Sequence, residues 1–155
     1  MAPLDGGKPW SWLKTPAIEP SAKFSPDGKW IAYQSNGTGR SEIFLQAFAP
    51  GAPASGGKWQ LSTNGGASPL WRRDGRELYY ISLDDKLMAV PMTLGAEEKS
   101  ATPKELFALS DSRANAINGY ARTGDGKRFL LMTSAEDTTL TPFTVVLNWM
   151  AGMKK

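Results

Sequence analysis

Cysteine and histidine are both absent from the 155-residue chain. Without cysteine the chain has no disulfide, no thiolate metal site and no thiol nucleophile. Without histidine it cannot form a Ser-His-Asp triad, a histidine-ligated zinc site or an imidazole acid–base pair. Hydrolytic chemistry in this chain would therefore have to depend on carboxylates or on a metal ion bound by oxygen ligands.

Long apolar runs and long runs of one charge are absent as well. No apolar stretch approaches the roughly 20 residues that a membrane-spanning helix needs. Residues 1–8 lack the apolar core of a secretory signal, so the sequence as given predicts a cytoplasmic chain with no membrane association, unless an upstream segment directs it elsewhere. The net charge is +3, but no cluster of Lys or Arg is long enough to indicate a nucleic-acid partner, and we expect none.

The chain does contain an internal repeat. Three Asp-Gly pairs, Asp27-Gly28, Asp74-Gly75 and Asp125-Gly126, follow one another at intervals of 47 and 51 residues. Each pair is followed by a basic residue and then by a β-type run. Asp accepts hydrogen bonds from the nearby backbone and Gly adopts positive φ at no steric cost, so each pair predicts a tight turn between antiparallel strands. We interpret the three aspartates as turn formers rather than as catalytic acids.

Four β-type runs recur around each of the first two turns, and three recur around the third. The first strands are predicted at residues 18–24, 65–72 and 115–122, and the second strands at 30–33, 77–81 and 128–132. Third strands are predicted at 42–46, 86–90 and 143–147, and fourth strands at 58–62 and 104–108. Four antiparallel strands in each unit of about 45–50 residues are typical of a propeller blade. The sequence therefore predicts an all-β fold of three four-stranded antiparallel propeller blades.

The segment from Phe24 to Tyr33, with its Ser-Pro-Asp-Gly turn, resembles the TolB-like (WD-like) β-propeller repeat. Residues 59–66 and 144–149 are similar to the propeller at the C-terminal end of many bacterial sensor proteins and serine/threonine kinases. The resemblance implies a β-propeller scaffold or binding module with a protein or peptide ligand. The third repeat departs from the pattern, since Arg122 stands where the first two repeats have Phe24 and Trp71.

We expect the whole chain, residues 1–155, to be a single half-propeller domain. Its predicted parts are a closing strand at residues 9–15, blade 1 at 16–63, blade 2 at 64–110 and a three-stranded blade 3 at 111–155. Three blades cannot close a ring, because propellers have about four to eight. The sequence therefore predicts a homodimer with six blades, truncated from a longer propeller, in which each closing strand completes the third blade of the partner. An excised fragment that does not associate is the alternative.

In a propeller the first strand of each blade lines the central channel, which places the candidate binding residues there: Ser21, Lys23, Ser68, Arg72 and Arg122. The alternative function is a metal-dependent hydrolase of lactones, esters or phosphotriesters. Glu19 would be its catalytic carboxylate, and calcium or another divalent cation would be held by oxygen ligands from Glu19, Asn64, Asn115 and Asn118. No spacing motif supports this alternative, which depends on analogy between folds.

Overall fold

The computed structural model describes residues 1–2, 6–93, 99–100, 102–109 and 120–131. Within these ranges the chain forms strands and turns but no helix, so no described helix is long and apolar enough to cross a membrane. Every strand pairing is antiparallel. The predicted all-β class is therefore confirmed for the described residues.

The strands form three sheets in chain order. The first sheet contains β1 (Ala22–Phe24), β2 (Trp30–Ser35), β3 (Glu42–Ala47) and β4 (Lys58–Gln60), paired in that order. The second sheet contains β5 (Ala67–Trp71), β6 (Glu77–Ile81), β7 (Lys86–Thr93), β8 (Lys99–Ser100) and β9 (Lys104–Ala108). In the second sheet β5, β6 and β7 pair in order, and both β8 and β9 pair with β7. The third sheet pairs β10 (Tyr120–Arg122) with β11 (Phe129–Leu131).

These strands agree closely with the repeat read from the sequence. The predicted strands around the first two turns are all present, although β1 and β4 are shorter than expected. The short strand β8 was not predicted. The predicted strand at residues 143–147 lies outside the described residues, as does the beginning of the predicted strand at 115–122. The pattern therefore located the strands around the first two turns and the hairpin of the third.

The second sheet is buried on both faces. Successive side chains of a strand point to opposite sides, and in β6 Leu78 and Tyr80 pack between the first and second sheets. Tyr79 and Ile81 pack between the second and third sheets. None of these four side chains is more than 3% exposed. This two-sided burial explains why residues 78–81 form a continuous apolar run instead of an alternating one. The three sheets are therefore stacked as successive layers.

The outer face of the first sheet, which points away from the second sheet, is covered by the N-terminal segment. Trp12 is 7% exposed and packs against Ile31, Tyr33 and Phe44. The ring centroids of Trp12 and Tyr33 are 5.8 Å apart in an edge-to-face arrangement. This contact gives the first sheet, like the second, an apolar neighbour on each side.

Residues 9–15, predicted as a closing strand, do not form a strand in the single chain. The Ala54 N–H donates to the Trp12 carbonyl at 2.6 Å, and the Trp10 N–H donates to the Met1 carbonyl at 3.0 Å. A strand requires a continuous row of such bonds with a neighbouring strand. The described residues offer this segment no such row, and its pairing with a second chain stays a prediction.

The three Asp-Gly turns share one hydrogen-bond pattern. In the first turn the Gly28 N–H donates to the Ser25 carbonyl at 2.9 Å, and the Asp27 carboxylate accepts from the Lys29 N–H at 3.2 Å. In the second turn the Gly75 N–H donates to the Arg72 carbonyl, and the Arg76 N–H donates to the Asp74 carboxylate. In the third turn the Gly126 N–H donates to the Thr123 carbonyl, and the Lys127 N–H donates to the Asp125 carboxylate. The turn-forming role predicted for the aspartates is confirmed. Within these three turns positive φ is found only at Gly28, Gly75 and Gly126, at 71°, 73° and 70°.

The second turn offers a direct test of this division of roles. Gly75→Val should lower the free energy of unfolding by about 1–3 kcal/mol, because a β-branched residue is strained at a φ of 73°. Asp74→Asn should change it by less than about 0.5 kcal/mol, since the amide oxygen still accepts the Arg76 N–H. Urea unfolding of both variants measures the difference, and equal losses would contradict the assignment.

Candidate functional site

The first strands of the three sheets, β1, β5 and β10, are joined by side chains that cross the sheet boundaries. Trp71 Nε1 donates to the Lys23 carbonyl at 3.1 Å. Arg122 Nε donates to the Trp71 carbonyl at 2.7 Å, and Arg122 Nη1 donates to the Thr123 carbonyl at 2.9 Å. The sequence analysis placed the candidate binding residues on or next to these strands. In the structure, side-chain hydrogen bonds connect β5 to β1 and β10 to β5.

Arg122 occupies the position that Phe24 and Trp71 hold in the first two repeats. Its guanidinium donates to the backbone of the preceding sheet, as the Trp71 indole does. Phe24 has no donor and is 49% exposed, with its ring centroid 4.9 Å from that of Phe48. The departure of the third repeat from the aromatic pattern therefore preserves a bond between sheets.

Three of the predicted binding residues lie on or beside β1 and β5. The Ser21 carbonyl accepts the Gln34 N–H at 2.9 Å, and the Lys23 side chain is exposed. Ser68 has a φ of 54°, and its N–H donates to Gln34 Oε1 at 3.3 Å. The pairing of β5 with β6 shifts register at this point, where Pro69 has no N–H to contribute. Ser68 thus marks a bulge in the first strand of the second sheet.

Arg72, another predicted binding residue, is held by acidic side chains. Its guanidinium lies 3.0 Å from Glu77 Oε2 and 3.4 Å from Asp74 Oδ2. The hydrogen bond from Arg72 to Glu77, with the nearby Asp74 charge, raises the pKa of Arg72. The Tyr79 hydroxyl also donates to Glu77, and burial followed by this bond raises the pKa of Tyr79 to about 12. Arg72 therefore stabilises the second turn.

The carboxylates of the first and third turns are stabilised in their charged form. The Ser25 hydroxyl donates to Asp27 and lowers the pKa of that carboxyl, with a further contribution from the Lys29 N–H. The Thr123 hydroxyl does the same for Asp125. Both carboxylates are therefore ionised near neutral pH and are available to accept the backbone N–H groups of their turns.

The metal-site prediction gains no support from the described residues. Glu19 is half-buried and accepts hydrogen bonds from Thr15 Oγ1 at 2.7 Å and from Ser35 Oγ at 3.4 Å. Asn64 is exposed in the loop between β4 and β5, whereas Asn115 and Asn118 lie outside the described residues. In the part of the chain that is described, no three acidic side chains are grouped to hold a metal ion. The metal-dependent hydrolase stays a prediction.

Sequence reasoning missed Glu42, a carboxylate that is only 1% exposed. It accepts hydrogen bonds from Arg40 Nε, from Ser62 Oγ and from the Gly65 N–H, the last at 3.0 Å. Arg40 Nη2 also donates to the Thr63 carbonyl at 2.9 Å. This network ties β3 to the loop that leads into the second sheet. In the sequence only the nearby Arg40 indicates this network, because Ser62 and Gly65 are about 20 residues away from Glu42.

A cleft of about 620 Å³ opens between the first and second turns. Pro26 and Met92 form apolar parts of its wall, while Asp74 and Arg76 contribute polar parts. The cleft lies at the end of the stack where the turns are, next to the end of β7. The described residues that line it include none of the binding residues predicted from the sequence, so the cleft is a separate concave feature at the turns.

Arg122 and Arg128 form a matched pair for testing the bond between sheets. Arg122→Met should lower the free energy of unfolding by about 1–3 kcal/mol, because it removes a charged hydrogen bond to the Trp71 carbonyl. Arg128→Met removes the same charge from the same hairpin, but Arg128 is exposed and the change should cost less than about 0.5 kcal/mol. Urea unfolding compares them, and similar losses would contradict a bridging role for Arg122.

Comparison with known proteins does not assign the chain to a family. No protein-family model matches it, and no curated protein is significantly similar to it. The described residues establish a stack of antiparallel sheets whose first strands are connected by side-chain bonds from Trp71 and Arg122. That geometry is the basis for a functional proposal.

Proposed function

We propose that the chain is a β-propeller binding module of the TolB-like type, in which each sheet is one blade. The observation that carries this proposal is the second sheet, which buries apolar side chains on both faces against the first and third sheets. Propeller blades are antiparallel four-stranded sheets with a neighbour on either side. A β-sandwich has two layers and leaves the outward faces to solvent, so it does not account for a sheet packed on both sides.

The repeated turns support the same proposal. Each of the three sheets begins with a first strand, an Asp-Gly turn and a second strand, with equivalent hydrogen bonds in every turn. Recurrence of one supersecondary unit at a near-constant interval is typical of repeat architectures, including propellers. The bonds donated by Trp71 and Arg122 then join each first strand to the one before it.

We further propose that two chains close one ring of six blades. In a closed ring each blade has a neighbour on both faces, and Trp12 already covers the outer face of the first sheet. In β11, Phe129 and Leu131 face the second sheet, so Leu130 points outward and is 70% exposed. A twofold axis would bring this outward face to the N-terminal segment of the partner.

The proposed function is the presentation of a surface rather than catalysis. Along the first strands, the Trp71 and Arg122 side chains donate to backbone carbonyls, and Arg72 is ion-paired. These contacts serve to hold blades together. The exposed groups beside them, Lys23 and the residues of the turns, are available to a protein or peptide ligand at the mouth of the ring.

Solution mass tests the ring. Light scattering at micromolar concentration should give about twice the 16.8 kDa of one chain. Leu130→Asp should reduce the mass to that of one chain and leave the β-type circular dichroism spectrum unchanged, because it places a charge in the proposed interface. Leu83→Asp, at a side chain that is 55% exposed between β6 and β7, should remain dimeric. A folded wild-type monomer would contradict the closed ring.

Removing the N-terminal segment tests the cover on the first sheet. Deletion of residues 1–15 should abolish the dimer and lower stability, with about 3–5 kcal/mol from the loss of buried Trp12. The matched point variant Trp12→Ala should lose a similar part of the stability in thermal unfolding. If the deleted chain kept both its dimeric mass and its stability, the proposed role of the segment would be wrong.

A further inference from the structure

The net positive charge of this chain is accounted for by its three turns. We call the segments 25–30, 72–77 and 122–128 together the turn edge. The turn edge contains seven basic and four acidic residues, a surplus of three positive charges. The whole chain has a net charge of +3, so the remaining residues are neutral on balance. The turn edge therefore carries the entire net charge of the protein.

The three turns lie next to one another in the stack. A β-carbon placed on Gly75 would be 3.7 Å from Pro26 Cδ, which brings the first and second turns into contact. A β-carbon placed on Gly124 would be 3.8 Å from Arg73 Nη1, which brings the second and third turns together. The charged residues of the turn edge thus form one continuous surface at one end of the sheets.

The acidic residues of this surface are engaged within their own turns. Asp27, Asp74 and Asp125 each accept the backbone N–H of the basic residue two positions later. Glu77 accepts from Arg72 and Tyr79. Five basic side chains of the turn edge are exposed and form no salt bridge with another described residue: Lys29, Arg73, Arg76, Lys127 and Arg128.

Three of these cations, Lys29, Arg76 and Lys127, occupy equivalent positions, one in each turn. Sheets packed face to face are about 10 Å apart, and an extended chain rises about 3.3 Å per residue. An extended segment that runs across the turns would therefore meet one of these cations at about every third residue. The cleft between the first two turns, with Pro26 and Met92 in its wall, provides room for the intervening side chains.

We propose that the turn edge binds an extended acidic protein segment whose carboxylates recur at every third residue. This inference rests on the proposed function as a binding module and specifies its ligand. A peptide fits better than a nucleic acid, because Asp27, Asp74 and Asp125 alternate with the cations and would repel a phosphate on every nucleotide. Carboxylates spaced by two neutral residues avoid these acidic positions.

The probe is a fluorescein-labelled peptide of repeated Glu-Gly-Ser, with binding followed by fluorescence anisotropy at low salt. It should bind the wild-type chain, and binding should weaken as salt is added. The triple variant K29Q/R76Q/K127Q should weaken binding about tenfold or more, as expected for the loss of three exposed charge pairs. The control triple variant K8Q/K14Q/K104Q removes the same charge from exposed lysines outside the turns and should leave affinity within about twofold.

Each other outcome overturns the proposal. Absence of binding, or equal losses in the two triple variants, would mean that the turn edge is not a specific surface. Equal binding of a peptide with the same composition but with all its Glu residues in one block would exclude the three-residue spacing. Tighter binding of an oligo-dT strand of equal charge would assign the surface to nucleic acid instead.

The mass of the same sample separates this proposal from the closed ring. A monomer that binds the peptide through Lys29, Arg76 and Lys127 would refute the ring and support the turn edge, because all three turns belong to one chain. A dimer that does not bind the peptide would support the ring and refute the turn edge.

Discussion

The two-sided burial of the second sheet is the constraint on which the rest of the structure depends. β6 directs Leu78 and Tyr80 to one face and Tyr79 and Ile81 to the other, so the sheet needs an apolar layer on each side. Burial of one large apolar side chain is worth roughly 1.5–3 kcal/mol, which makes both layers necessary for stability. The first and third sheets supply them, and their own outward faces then require cover. Trp12 supplies that cover on the first sheet.

Apolar contact between layers does not by itself determine where one sheet sits along the next, because the hydrophobic effect has no direction. Hydrogen bonds at the sheet boundaries are directional, and they fix the position of one sheet along the next. Trp71 and Arg122 each donate to a backbone carbonyl of the preceding sheet, and Glu42 accepts the N–H of Gly65 in the loop between the first two sheets. In each case a side chain bonds to backbone, whose position is set by the strand or loop that contains it.

The stacking of the sheets also determines where the charged side chains lie. Layers that are apolar on both faces leave room for ionised groups mainly at the ends of the sheets, where the turn edge contains seven basic and four acidic residues. Each turn uses its aspartate to satisfy a backbone N–H, so that carboxylate is occupied locally. The basic residue that follows has no such task, and Lys29, Arg76 and Lys127 remain exposed. The chemistry that forms the turns therefore also makes their surface positive.

The sequence by itself determined the turns and most of the strands, because both depend on residues that are close along the chain. The Asp27 carboxylate, for example, reaches a backbone N–H only two residues away. Only the tertiary structure decided the partners of Arg122 and Glu42 and the positive φ of Ser68, since these depend on how the sheets pack. It also showed that residues 9–15, predicted from their place in the repeat as a closing strand for a second chain, form no strand in the single chain. A strand needs a neighbouring edge, and in the single chain these residues lie across a sheet face through Trp12 instead.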